Sequence, residues 1–479
     1  MMGRRVRIST TVTLMLLLEG ALSAAAPEDR TKEVDALFAD WDTTETPGAV
    51  VAVIAGGKIV YQNAYGMADL ERNVPLSPKS LFDIASISKQ FTAMSILLLE
   101  QQGLLSLDDD IRTYLPDFPD YGHTITLRHL IHHTSGLRDY MDLMELAGMP
   151  WENTYHQAEI VDLVARQKAL NNNPGDDYLY SNSGYLLLAE VIHKVSGETL
   201  GEFAERHIFE PLGMNVSHFY DDFTRIVPDR ALSYSEKENG GYENVQYIFD
   251  VIGDTGLLTN IADLLLWDQN FYHNKLGETG AKLIDRMLVP GKLNSGETID
   301  YAFGLELEEY RGLRVVRHSG GAAGYDTEML RFPDQELTVL VLSNLGDFPS
   351  TELAKQVADL YLSEELTAPK PADIRSERPQ PPAAIEPKLS PDEHDELDEY
   401  TGRYYSPELE ATYIVRLVDG DLTYRFLYSP VDVPLVPTGR DEWYAGRTQF
   451  SFLRENNDRV TALHVSLGPV RNIYFEKRP

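Results

Sequence analysis

Apolar and polar positions along this chain follow three rhythms, and each predicts a different kind of structure. From Gly48 to Ala55 and again from Lys58 to Tyr65 the residues are mostly β-branched, aromatic or small, and Gly56-Gly57 joins the two runs, so the pattern predicts a β-hairpin. Just before it, Thr31 to Trp41 has helical spacing. From Ser86 to Gln102 the apolar side chains Phe91, Met94, Leu97 and Leu98 recur at helical intervals and stop at Gly103. Asn182 to Val195, stopped by Gly197, and Ile261 to Tyr272 repeat that helical rhythm. Strands return after Tyr301, at Tyr301 to Leu307, Leu313 to His318, Met329 to Phe332 and Leu337 to Leu342, before a last helix from about Thr351 to Leu362. Strands at both ends of a region and helices in its middle predict an α/β (α+β) fold. The two strand groups close one antiparallel sheet, with the helical part beside it.

The third rhythm has no period. Residues 366–392 carry Pro369, Pro371, Pro379, Pro381, Pro382 and Pro387 among charges, which predicts a linker with few contacts across it. Beyond it the chain is aromatic and β-rich. Thr412 to Leu417 and Leu422 to Leu427 flank the turn Val418-Asp419-Gly420-Asp421, and Asn456-Asn457-Asp458 marks another turn. The expected organisation is a main domain over 26–365, a Pro-rich linker over 366–392, and a small all-β, barrel-like domain over 393–479. At the other end, Arg4, Arg5 and Arg7 precede a short apolar run from Val12 to Leu18 and the small residues Ser23-Ala24-Ala25-Ala26, the order of a secretory signal peptide. Residues 1–25 are expected to be removed, with Pro27 arguing against a cut after Ala26, and the mature chain is expected in the periplasm or secreted. The apolar run is too short to span a bilayer.

Composition narrows the chemistry. Hydrophobic residues make up 43 % of the 479 positions, enough for a sizeable core. A net charge of -33 repels phosphate backbones and anionic lipid, which argues against nucleic-acid and membrane-surface partners. The chain has no cysteine, so disulfides, thiolate metal sites and a cysteine nucleophile are excluded.

Ser86-Ile87-Ser88-Lys89 is an S-x-x-K motif at the start of a predicted helix, where one turn brings the lysine amine onto the same face as the serine hydroxyl. A serine hydroxyl needs a base to become a nucleophile, and a lysine serves when burial lowers its pKa. Tyr180-Ser181-Asn182 is a Y-x-N motif after a Pro174-Gly175 turn and immediately before an apolar helix. Tyr61, Tyr242 and Tyr272 also begin Y-x-N triplets, but lie mid-strand, in a polar loop and at a helix end. Arg317-His318-Ser319-Gly320-Gly321 reads as a strand end opening into a Gly-rich turn, where a backbone N–H can stabilise an oxyanion. His129, His132 and His133 have spacings that a metal site uses, but no H-E-x-x-H is present, and there is no G-x-S-x-G elbow.

Taken in order, Ser86-x-x-Lys89, Tyr180-x-Asn182 and His318-Ser319-Gly320 resemble the serine β-lactamase-related family, which includes class C β-lactamases, D-alanyl-D-alanine carboxypeptidases, D-aminopeptidases and related esterases. Leu130-Ile131-His132-His133-Thr134-Ser135-Gly136-Leu137 and Gly256-Leu257-Leu258-Thr259 through Asp263 and Trp267 are similar to family segments too. The resemblance covers roughly residues 31–365 and implies a β-lactamase/transpeptidase-like fold, while the tail resembles the lipocalin-like β-domains that follow some of these hydrolases. It implies that Ser86 forms an acyl-enzyme and that Lys89 and Tyr180 share proton transfer. Asn182 would orient Lys89 and the substrate, His318, Ser319 and Gly320 would bind substrate, and the N–H groups of Ser86 and Gly321 would form the oxyanion hole. No metal or cofactor is implied, and the expected partner is a small-molecule or peptide substrate: a D-amino-acid peptide, a β-lactam or an ester. The alternative is a catalytically silent, penicillin-binding-like sensor. His318 stands where penicillin-binding members often carry lysine, and an unperturbed imidazole facing the substrate loses its charge between about pH 6 and 8. Oligomeric state is not legible.

Overall fold

The computed structural model describes residues 30–246, 248–277, 282–367, 369, 397–455 and 458–479. The expected leader, and the linker beyond Thr367 apart from residue 369, lie outside the described residues.

The predicted hairpin forms β1 (Ala49–Ala55) and β2 (Lys58–Tyr65), turned by Gly56 and Gly57, both at positive φ. The later strands β3 (Glu306–Tyr310), β4 (Leu313–Ala322), β5 (Tyr325–Phe332) and β6 (Leu337–Ser343) join them in one antiparallel sheet of order β3-β4-β5-β6-β1-β2. Closure runs from Ala49↔Ser343 to Ala55↔Leu337. Strand β1 is apolar at every position because both of its faces are covered. Val50, Ala52 and Ile54 face the helical region, while Ala49, Val51 and Val53 pack with Val34 and Phe38 near the start of the chain and with Leu353, Ala354 and Val357 of a C-terminal helix. Among the helices, α1 (Lys89–Gln101) is buried at Lys89 and every residue on to Leu99, which places its four polar groups Lys89, Gln90, Thr92 and Ser95 inside the protein. Helices α2 (Tyr140–Ala147), α3 (Asn182–Ser196) and α4 (Ile261–Tyr272) share its apolar cluster, with α3 packed along it and Trp267 of α4 against Phe91 at 4.3 Å.

The strand expected from Tyr301 to Leu307 runs instead from Glu306 to Tyr310, β5 begins at Tyr325 rather than Met329, and two further boundaries differ beside the candidate site. The helix expected from Ser86 opens as a 3-10 turn over Ala85–Ser88 and becomes α-helical at Lys89. Three residues per turn eclipse positions i and i+3, so Ser86 and Lys89 superpose more closely than in an α-helix. Strand β4, expected to stop near His318, continues through Ser319-Gly320-Gly321 to Ala322 because β5 pairs with it as far as Ala322↔Tyr325. Pairing overrides the poor strand propensity of the glycines.

Residues 402–478 form a nine-stranded sheet. Its two edge strands, Val433–Pro434 and Val436–Gly439, are separated in the chain only by Leu435, so the sheet curls until its edges meet, a nearly closed, barrel-like form around Tyr404, Tyr413, Phe450 and Phe475. The likeness to lipocalins is loose. This sheet sits against the helical region, contrary to the few contacts expected across a Pro-rich linker. The Arg138 guanidinium donates to Glu408 at 2.6 Å, to Gln167 at 2.9 Å and to the Arg471 carbonyl at 2.9 Å, and Tyr413 donates to the Leu146 carbonyl at 2.6 Å. One apolar cluster runs through both parts. Linker composition reports on the linker alone, not on the surfaces it tethers.

Candidate active site

Ser86 is delivered by the short strand Phe82–Asp83 and a strained turn. Ala85 has φ +48, a conformation rare for a residue with a Cβ, and its N–H is held by the Asp83 carboxylate at 2.8 Å. The turn lies directly on β4. A Cβ added to Gly320 falls 2.3 Å from the Ile84 carbonyl oxygen and 3.0 Å from the Ala85 Cβ, so that position must be glycine. At Gly321 the same Cβ meets nothing within 4 Å. Strand β3 ends its pairing at Glu306↔Arg317, leaving the outer edge of residues 318–322 open beside Ser86.

The Lys89 ammonium group is fully buried and donates to Ser86 Oγ at 3.0 Å, Asn182 Oδ1 at 2.8 Å and the Asp254 carbonyl at 3.0 Å. Burial pulls its pKa below the ordinary lysine range, and the carboxylates of Asp254 and Asp139 pull it back up. Both acids are themselves buried, and desolvation raises both of their pKa values. Asp139 caps α2 by accepting the Met141 N–H at 2.9 Å and also accepts the Asn182 N–H, which fixes the start of α3. Asp254 accepts the Tyr140 hydroxyl at 3.0 Å on one oxygen, and its other oxygen is buried without a partner among the described residues. The Tyr180 ring lies 4.9 Å from Lys89 Nζ, and burial raises its pKa well above the usual phenol value while the nearby Ser86 hydroxyl pulls it down. Ser86, Lys89, Tyr180 and Asn182 therefore converge as their motifs predict. The other three Y-x-N tyrosines are elsewhere: Tyr61 bonds Asp35 on the far face of the sheet, and Tyr242 and Tyr272 lie in a short outer hairpin and at the end of α4.

His318 departs from its expected behaviour. It is 2 % exposed. Its Nδ1 faces the Ser319 carbonyl at 2.6 Å and so carries the proton, which leaves Nε2 to accept the Tyr301 hydroxyl at 3.0 Å. Desolvation first, then the nearby Lys89, push its pKa down to about 3. The imidazole is a neutral, doubly bonded group, not one that titrates between pH 6 and 8.

The three upstream histidines point to separate partners. His129 closes a capping box with Thr126, His132 Nδ1 faces the Tyr301 carbonyl at 3.3 Å, and His133 lies under Tyr180. The His133 ring stacks on Tyr180 at 4.1 Å, its Nδ1 accepts the Ser181 N–H at 3.1 Å, and its backbone sits at φ +56. Nothing in the local pattern around His133 marks it as a neighbour of Tyr180. Tyr301, Asp139, Asp254 and Gly304 were missed too. Gly304 at φ +69 leaves no room for a Cβ, which would fall 2.6 Å from the Lys89 carbonyl carbon.

A serine bonded to a buried lysine at a helix start, beside the open edge of an antiparallel sheet, defines a serine hydrolase of the penicillin-recognising class. The beta-lactamase family profile matches residues 34–362, and the chain belongs to that family. It is 34 % identical to penicillin-binding protein 4* of Bacillus subtilis (strain 168) over 371 residues, 74 % of this chain and 79 % of that protein. It is 31 % identical to D-aminopeptidase of Brucella anthropi over 316 residues, 66 % of this chain but only 59 % of that protein, so it spans less than two thirds of that relative. Among solved structures, the octameric penicillin-binding protein homologue from Pyrococcus abyssi superposes with a TM-score of 0.62 at 24 % identity, covering 93 % of this chain and 99 % of that one. The D-amino acid amidase from Ochrobactrum anthropi SV3, in complex with L-phenylalanine, superposes at 0.58 and 24 % identity over 70 % of this chain and 98 % of that one. These two share the fold.

Proposed function

We propose that this protein is an exported hydrolase that cleaves the amide or ester bond of a D-configured amino-acid derivative through an acyl-enzyme on Ser86. The observation that carries the reading is the buried Lys89 amine, 3.0 Å from Ser86 Oγ and held by Asn182 and the Asp254 carbonyl. In its neutral form Lys89 takes the hydroxyl proton as Oγ bonds to the substrate carbonyl carbon. The N–H groups of Ser86 and Gly321 receive the oxyanion. Collapse breaks the bond to the leaving amine or alkoxide, which takes a proton from Tyr180, and Tyr180 is reprotonated from Lys89. Water then attacks the ester, with the same pair moving protons in reverse. The D-configuration is supported by the kinship to D-aminopeptidase, and a neutral His318 supports substrates without a carboxylate beside Ser319.

The test is hydrolysis of D- and L-alanine p-nitroanilides, each free and N-acetylated, with quenched samples weighed by mass spectrometry. Preference for the D-isomers and a mass increment of the acyl group on the intact chain are expected. Preference for the L-isomers, or turnover with no increment under single-turnover conditions, overturns the proposal.

A further inference from the structure

The position of Arg230 points to a subsite that none of the motifs identifies. Its backbone forms a parallel bridge with Leu81, and the Leu81 N–H and Ala231 N–H bonds on either side lock it one strand over from the Phe82–Asp83 segment that delivers Ser86. The side chain enters a small pocket lined by Asp83, Tyr220, Thr255, Ala323 and Tyr325. Thr255 follows Asp254, whose carbonyl holds Lys89, and Ala323 follows the last residue of β4, so this pocket adjoins the cleft at the end opposite His318.

The half-buried guanidinium sits over the Tyr220 ring, its Cζ 4.6 Å from the ring centroid, and reaches the Tyr325 hydroxyl through Nε at 3.4 Å. Its terminal nitrogens have no acceptor among the described residues. In a chain with 75 acids against 42 bases, an arginine in a pocket without a carboxylate within ion-pair distance stands out. Asp83 is a weak counter-charge: it lies near enough to act on Arg230 electrostatically but beyond ion-pair distance, its one oxygen accepts the Ala85 N–H at 2.8 Å and the Thr255 hydroxyl at 3.5 Å, and burial raises its pKa. A guanidinium held by a ring and by its Nε has both terminal nitrogens left to donate, and those match a carboxylate with two parallel bonds.

We propose that Arg230 binds an anionic group, a carboxylate, on the acyl arm of the substrate. Orientation follows from the site. Tyr180, which gives its proton to the leaving group, stands beside His318 with ring centroids 6.4 Å apart, so the leaving group lies at that end and the acyl arm runs past Ala322 and Ala323 to Arg230. This inference rests on the Ser86 reading and names the substrate class within it. The acyl donor carries a carboxylate some distance from the scissile bond, and the leaving group needs none.

The test compares N-succinyl-D-alanine p-nitroanilide with N-acetyl-D-alanine p-nitroanilide on the full chain, in the parent protein and in Arg230→Gln and Arg230→Lys. The expected result is roughly tenfold higher kcat/KM for the succinyl substrate in the parent, as a charge-assisted pair at a partly solvated site supplies. Arg230→Gln should erase that preference and leave the acetyl substrate unchanged, while Arg230→Lys should retain part of it. An equal loss on both substrates makes Arg230 structural, and no preference in the parent overturns the proposal. Calorimetry on Ser86→Ala with N-succinyl- and N-acetyl-D-alaninamide separates the two readings. Tighter succinyl binding that Arg230→Gln removes sustains the subsite even if the chemistry assigned to Ser86 fails, and equal binding rejects it.

Discussion

The contact between the helical region and the C-terminal sheet rests on a buried ion pair, and removing one partner has a calculable consequence. Arg138 and Glu408 have side chains 2 % and 5 % exposed and meet at 2.6 Å. The same carboxylate oxygen accepts the Lys168 N–H at 2.9 Å. Glu408→Ala therefore strands a buried guanidinium that keeps only the Gln167 and Arg471 oxygens, and also unpairs a backbone donor. Breaking a buried pair from one side costs about 3–5 kcal/mol, and the orphaned N–H adds about 1 kcal/mol. Replacing both partners by apolar residues of similar size, Arg138→Met with Glu408→Leu, removes the uncompensated charge and should return to within about 2 kcal/mol of the parent. The assay is urea denaturation followed by circular dichroism on the parent, Glu408→Ala and the double variant. A loss below about 1 kcal/mol for Glu408→Ala, or a double variant as unstable as the single one, would refute the reasoning.

Further outcomes follow from the same structure. A chain ended near Leu366 leaves Arg138 without Glu408 and uncovers the Leu146 end of α2, so its melting temperature should fall by several degrees; an unchanged melting curve shows that the two parts are independent. Because His318 is neutral with its pKa near 3, the rate ratio for an anionic and a neutral substrate should be flat from about pH 5 to 8, and an inflection near 6.5 would mean the imidazole is exposed. Lys89 is a base only when deprotonated, so activity should rise with pH and level off below the ordinary lysine range. Asp254→Asn removes a charge that holds the proton on Lys89 and should move that inflection to lower pH, which a pH–rate profile reads. Gly320→Ala should abolish activity, since its Cβ meets backbone at 2.3 Å, whereas Gly321→Ala should retain activity within about threefold.

The parts of the site legible in sequence are those whose geometry is local. Ser86 and Lys89 are three residues apart, and any helical turn brings them together. Tyr180 and Asn182 share one loop before one helix, so choosing that Y-x-N triplet from its context was enough. Residues that reach the same point from distant elements left no local mark. Tyr301 meets His318 across the start of the second strand group, His133 reaches Tyr180 from an upstream turn, and Asp254 approaches Lys89 from 165 residues away. The antiparallel sheet was legible because β1 and β6 are apolar on both faces. The course of β4 through Gly320-Gly321 was not, because pairing with β5 and packing against Ile84 decide it. The docking of the C-terminal sheet was hidden for the same reason: its buried pair joins residues 270 positions apart.

The central claim is that Ser86 is the nucleophile and Lys89 its base. The most direct measurement is the second-order rate of labelling by a fluorophosphonate, followed by peptide mass mapping, in the parent, Ser86→Ala and Lys89→Met proteins. The account predicts a single adduct on the peptide containing Ser86, none in Ser86→Ala, and labelling slowed at least a hundredfold in Lys89→Met, the scale of a lost general base. An adduct on another residue, or full-speed labelling of Ser86 without Lys89, would contradict it.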